Sequence, residues 1–160
     1  MTYKEWEAKV PTAITDDPLW SMTAYRLSLF ASDLCWSDLQ KLRKERLYHL
    51  VDQLYDSVGG IGAQIAEGYS RKTGKDRARF YEYALGSARE SRDWYYKSRH
   101  VLGPDVAAHR LELHARITRL LMTMVTMVPD ERACAVAEPD AEYRTTAWED
   151  FLTMEVPFRA

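Results

Sequence analysis

Residues Gln53 to Arg71, QLYDSVGGIGAQIAEGYSR, constrain the fold more than any other stretch of the chain. With the residues just before them they carry apolar side chains at Leu47, Leu50, Val51, Leu54, Val58, Ile61, Ile65 and Tyr69. Steps of three and four place one stripe along a helix, and no strand period fits them. Gly59, Gly60 and Gly62 interrupt the middle, each less favourable than Ala by about 1 kcal/mol in a helix interior. A helix that keeps three glycines needs a close backbone approach or a kink. Gly62 and Ala66 lie beside Ile61 and Ile65, so a tightly packed neighbouring helix is expected there.

The flanking sequence supplies the neighbours. A first helix is expected from about Pro18 to Trp36, with Asp17 as N-cap and Pro18 in the first turn. Trp20, Ala24, Leu27, Phe30, Ala31 and Leu34 make its main stripe, while Met22, Tyr25, Leu29 and Trp36 lie opposite. A helix apolar on two faces has two faces to cover, which predicts self-association through Tyr25, Leu29 and Trp36. Ser37 to Arg46 reads as a charged connection, and Leu47 to Tyr69 as the second helix. Thr73 and Asp76 resemble a capping box with a shorter acid. A third helix is then expected from Gly74 to Leu102, its core face made of Phe80, Tyr83, Ala84, Ser87, Ser91, Trp94, Tyr95, Ser98, Val101 and Leu102. Its small middle should meet the glycines of the second helix. Gly103-Pro104 ends it, and a last helix from Pro104 to Val128 presents Val106, Leu113, Ile117, Leu120, Leu121, Met124 and Val128. The later turns, LLMTMVTMV, are apolar nearly all round.

These readings give an all-α chain, an up-down-up-down antiparallel four-helix bundle over residues 18–128. An N-terminal arm, residues 1–17, precedes it, with Trp6 and Val10 as its docking residues. An acidic tail, residues 129–160, follows, with a short helix expected within Asp140 to Leu152. At 160 residues and a net charge of -2 the chain has room for a real core and lacks the overall basic balance of many nucleic-acid binders. Its two cysteines, Cys35 and Cys134, form no Cys-x-x-Cys or Cys/His cluster and fit a reducing cytoplasm. The acidic N-terminus does not read as a signal peptide, and no run reaches the length of a membrane span.

Chemistry-bearing patterns are sparse. No Glu-x-x-His pair of the kind that builds metal sites in helical bundles is present, and His109 and His114 are five residues apart, about 140° around a helix. The histidines therefore read as solvated or rim residues, and no metal or other cofactor is expected. Gly59-Gly60-Ile61-Gly62 lacks the strand and the Gly-Lys-Ser/Thr ending of a phosphate loop. Glu67, among apolar neighbours, is better read as the ion-pair partner of an arginine on an adjacent helix or subunit than as a general base, so no enzyme is expected.

Basic residues are more informative. Between Arg71 and Arg99 nine Lys or Arg face four Asp or Glu, a local net of +5. Arg71, Lys72, Lys75, Arg77 and Arg79 crowd the turn before the third helix. Tyr81, Leu85, Arg89, Arg92, Tyr96 and Arg99 share one of its flanks. Cations interleaved with aromatic rings suit phosphate neutralisation and base stacking, as in single-strand RNA recognition. The expected contact set is Arg71, Lys72, Lys75, Arg77, Tyr81, Arg89, Arg92, Tyr96 and Arg99. The tail, with eight acids against three arginines, is complementary to that surface or to a basic partner.

The run Ile65-Ala66-Glu67-Gly68-Tyr69-Ser70-Arg71, preceded by Gln53-Leu54, resembles the four-helix-bundle proteins encoded in intervening sequences of bacterial large-subunit (23S) ribosomal RNA genes. That family shows a Gln-Leu pair, then Ile-Pro-Ala-Asn-Ile-Ala-Glu-Gly and an aromatic-(Gly/Ser)-Arg ending. Here Gly62 replaces the Pro and Gln64 the Asn, within a motif of Gly62, Ile65, Ala66, Glu67 and Gly68. The resemblance spans roughly Leu19 to Val128 and implies a bacterial, cytoplasmic homo-oligomer, a ring-like pentamer. By similarity to accessory bundle proteins of diversity-generating retroelements, it further implies a non-catalytic scaffold whose partner is RNA or a nucleoprotein. The alternative is a protein–protein adaptor that binds no nucleic acid.

Overall fold

In the computed structural model, which describes residues 1–127 and 146–158, every regular element is a helix. Two short helices, α1 (Tyr3–Glu7) and α2 (Thr12–Thr15), lead into a 3-10 turn at Pro18–Ser21. Four long helices follow: α3 (Thr23–Lys44), α4 (Tyr48–Tyr69), α5 (Gly74–Leu102) and α6 (Pro104–Thr126). A short α7 (Thr146–Thr153) is the last element. The long helices pack against their chain neighbours, and α6 also returns to α3.

The start of the chain is locally determined. Thr2 caps α1 in a reciprocal box with Glu5. Asp17 accepts from the Leu19 N–H at 2.8 Å, but it opens the 3-10 turn, and α3 begins only at Thr23. Trp6 is buried and donates its indole N–H to Asp33 at 2.5 Å, while Val10 packs on the core half-buried. Tyr3 meets Phe30 edge-on, so the arm is seated on α3 by its aromatic rings.

The largest departure from the sequence reading is Ser37 to Arg46. It is not a connection: α3 runs through it to Lys44 and buries Asp38, Leu39 and Leu42. Lys41, Arg43 and Lys44 form the last turn, where cations suit the negative end of the helix dipole. The actual reversal is Glu45 to Leu47, with Arg46 at φ 60°. Met22, expected on the outer side, is buried.

In α4 the glycines answer to specific neighbours. A Cβ on Gly60 would lie 3.1 Å from Ser87 Oγ, so the small middle of α5 does meet this helix. One on Gly62 would lie 2.8 Å from Ser28 Oγ of α3, and one on Gly68 would lie 2.8 Å from the Tyr81 ring of α5. Gly59 meets nothing within 4 Å.

Seating Tyr81 against Gly68 turns α5. Its buried stripe is Tyr81, Ala84, Ala88, Ser91, Tyr95, Ser98 and Leu102. At 100° per residue that stripe is rotated by about 50° from the expected one. Tyr83 is consequently exposed, and Phe80 and Trp94 are half-buried. Thr73 caps the helix by accepting from the Asp76 N–H at 3.1 Å, and its hydroxyl donates to the Asp76 carboxylate. Gly103, at φ 90° and ψ 162°, makes the one-residue corner into α6.

Candidate nucleic-acid interface and a buried ion pair

The rotation of α5 redistributes the expected contact residues. Tyr81 is 0% exposed and leaves the candidate surface, because the room at Gly68 draws its ring into the core. Arg89, Arg92, Tyr96 and Arg99 remain together on the outer flank of α5, with only Arg99 half-buried. The Arg99 guanidinium lies 3.9 Å from the Tyr96 ring centroid and donates to the Tyr96 carbonyl at 2.7 Å. This cation–π pair holds the exposed Tyr96 ring with one cationic neighbour fixed.

A second basic group occupies the α4–α5 turn. Lys72 and Lys75 are exposed. Arg71 lies 4.3 Å from the Phe80 ring centroid, pairs with Glu67, and receives on its carbonyl a hydrogen bond from Arg77 at 3.2 Å. Glu67 thus finds its cation one turn onward in sequence, just past the end of its own helix, rather than in the expected arginine of an adjacent helix or subunit. Among the described residues Lys72, Lys75, Arg89 and Arg92 make no ion pair, whereas Arg79 pairs with Asp76 and Lys97 with Asp93. Lys75 and Arg99 lie 24 residues apart on one helix, about 36 Å, so the surface comprises two basic groups along α5.

Sequence reasoning missed the most deeply buried charges. Arg110 of α6 is 0% exposed and forks onto Asp38 of α3, Nε to Oδ2 at 2.8 Å and Nη2 to Oδ1 at 3.2 Å. Tyr95 of α5 donates its hydroxyl to Asp38 Oδ2 at 3.1 Å, tying three helices together. Arg110 Nη1 donates to His109 Nδ1 at 2.9 Å, which leaves the ring proton on Nε2. Burial pushes the Asp38 carboxyl up, against the downward pull of Arg110 and Tyr95. It also pushes the Cys35 thiol, beside Tyr95, up to about 12, and Tyr95 itself well above the usual phenol range. Such values leave the thiol protonated and unreactive at neutral pH.

Nor are the histidines of α6 rim residues. His114 is fully buried against the Tyr95 ring, and His109 stacks on Phe151 at 5.2 Å between centroids. Desolvation and the Arg110 charge lower His109 to about 4 and His114 to about 3. Among the described residues no group of three or more His, Cys, Asp or Glu is placed to hold a metal ion. Nor is any helix of the described residues long and apolar enough to cross a membrane.

The expected oligomer residues separate by exposure. Tyr25 and Leu29 are half-buried and pack on the core, while Trp36 is 57% exposed. Trp36 lies with Tyr55, Val58 and Gly59 around a shallow depression between α3 and α4. Met122 in the last turns of α6 and Met127, just past its end, are also exposed. The described part of the tail does not lie on the basic flank of α5. It packs on α1 and α6, where Lys4, Arg116, Arg110 and the Met1 ammonium are the cations beside it. Val128 and the tail residues 129–145 lie outside the described residues.

Residues 21–122 match the family model described as 23S rRNA-intervening sequence protein. No curated protein and no solved structure matches the chain.

Proposed function

The chain belongs to the 23S rRNA-intervening sequence protein family, and on that premise we propose that it is a non-catalytic, oligomeric helical scaffold of the bacterial cytoplasm that binds single-stranded RNA or a nucleoprotein. The four long helices are read as an up-down-up-down antiparallel bundle. Connections of three, four and one residues favour antiparallel neighbours. The pentameric state rests on the family resemblance.

One observation carries the RNA reading: Arg89 and Arg92 stand exposed and, among the described residues, without an ion pair on the helix flank that also presents the Tyr96–Arg99 stack. Phosphates of a single strand would neutralise the two arginines while a base stacks on Tyr96. Lys72 and Lys75 extend the path toward the α4–α5 turn.

The test is titration of the full chain with a labelled single-stranded RNA at several salt concentrations. The Arg89→Ala/Arg92→Ala variant should reduce the salt slope by about 1.4, roughly 0.7 per phosphate contact. Tyr96→Ala should weaken binding by about 1–3 kcal/mol with the salt slope unchanged. RNA affinity that is absent, or indifferent to all three substitutions, would move the assignment to a protein adaptor. The exposed Trp36–Tyr55 depression favours that second reading, since an aromatic surface with little charge suits a protein partner.

A further inference from the structure

The family match ends at residue 122, yet a later segment, Thr146–Phe158, is seated on the body of the molecule. Its seat lies along α1 and α6, and part of that seat, α1, also falls outside the matched residues. Phe151 is buried, stacked on His109 and capped by the Arg116 guanidinium 4.4 Å from its centroid. Val156 is also buried, and its N–H donates to the Met1 carbonyl at 3.1 Å. Acidic side chains sit opposite cations: Glu149 lies 3.6 Å from Lys4, and Glu155 lies 2.6 Å from the Met1 ammonium. At the far end the Phe158 ring lies 5.6 Å from the Arg110 guanidinium, which donates to the Pro157 carbonyl at 3.5 Å.

Two physical points separate this segment from an ordinary last helix. Nineteen residues, 127–145, lie between α6 and α7, enough to span about 60 Å when extended, so chain continuity does little to position it. An eight-residue helix is also too short to persist alone in water, so α7 takes its form from the seat. Hydrophobic anchors, flanking charge pairs and a main-chain bond are how a body holds a separate peptide.

We infer that α1 and α6 form a docking groove for an acidic, aromatic-bearing peptide, and that its resident ligand is the chain's own segment 146–158, bound in cis. The groove recognises two anchors, Phe151 and Val156, and pairs its cations with Glu149 and Glu155. Arg110 forms its floor, linking occupancy to the buried pair with Asp38.

A full-length variant with residues 133–139 replaced by a specific protease site tests this. After cleavage, a fluorescent synthetic copy of residues 145–160 should bind the cut protein saturably by exchange with the released segment. Phe151→Ala in that peptide should weaken binding at least about tenfold. A cut protein that keeps its helical circular dichroism but takes up no peptide overturns the inference. A cut protein that loses its helices also overturns it, because the segment is then an integral part of the fold. In the uncut chain the Val156 amide should exchange slowly with solvent and Phe151→Ala should speed it; fast exchange in the parent again refutes docking. Cleavage of a defined dimer that leaves peptides bound only across copies rejects the cis assignment.

Discussion

Arg110 and Asp38 show how unequal the two halves of an ion pair become once water is removed. Asp38→Asn leaves an uncompensated guanidinium at a position with no solvent contact, and should lower stability by about 3–5 kcal/mol in urea unfolding. Asp38→Leu combined with Arg110→Met removes both charges and should fall far closer to the parent. The buried histidines set an acid limit. His114 has a folded value of about 3 against an ordinary 6.5, so the unfolded chain binds its proton first. Stability is therefore retained above pH 6.5 and lost as pH falls toward 3, approaching ~1.4 kcal/mol per pH unit within that window. His109, lowered to about 4, adds in the same sense. Asp38, raised by burial, acts in the opposite sense at the acid end. Melting temperatures between pH 7 and 4.5 should fall for the parent and fall less steeply in His114→Phe, where of the two histidines only His109 still gives the dependence. The sequence held a sign of this pair: Cys35, Asp38, Leu39 and Leu42 continue the stripe of Leu27, Phe30, Ala31 and Leu34 at helical spacing. Charge in Lys41 to Arg46 masked that continuity, because a helix end favours the same cations as a loop.

For the elements, the glycines of α4 give the sharpest contrast. Gly59→Ala meets open space and should stabilise the chain by about 0.5–1 kcal/mol through helix propensity. Gly68→Ala must displace the Tyr81 ring and the Phe80 Cβ, and should lower stability by about 1–3 kcal/mol. Chemical denaturation of the two variants side by side checks both signs, and equal effects would mean the close approach at Gly68 is absent. Periodicity made the boundaries of α4 and α5 legible, together with the close approach at Gly60 and Gly62. It could not fix the rotation of α5, because aromatic residues occur on nearly every side of that helix and only the space at Gly68 selects Tyr81 over Tyr83. Helix periods locate an apolar stripe to within one residue, and one residue is about 100°.

Across the whole molecule, the sequence revealed the helical architecture and the family, while the seat of residues 146–158 was invisible because it depends on contacts between distant parts of the chain. Surface roles also separate at this scale. Leu29 packs beside Gly62, so a polar residue there would disturb the subunit as well as any assembly. Trp36 is the cleaner probe: Trp36→Ser should lower the solution mass measured by light scattering while leaving helical content unchanged. An unaltered mass would remove the α3–α4 depression from the assembly surface. The recesses at Gly60, Gly62 and Gly68 have one more consequence. They face two different helices, so α4 is keyed to α3 and α5 at once, like a shaft with notches cut on two sides. Sliding α5 by one turn, about 5.4 Å, would carry Ser87 and Tyr81 out of their notches together, and the same slide of α3 would carry Ser28 out of its own. Gradual shear between these helices is thereby disfavoured, and any change of shape on assembly or RNA binding is steered to the segments that pack around them.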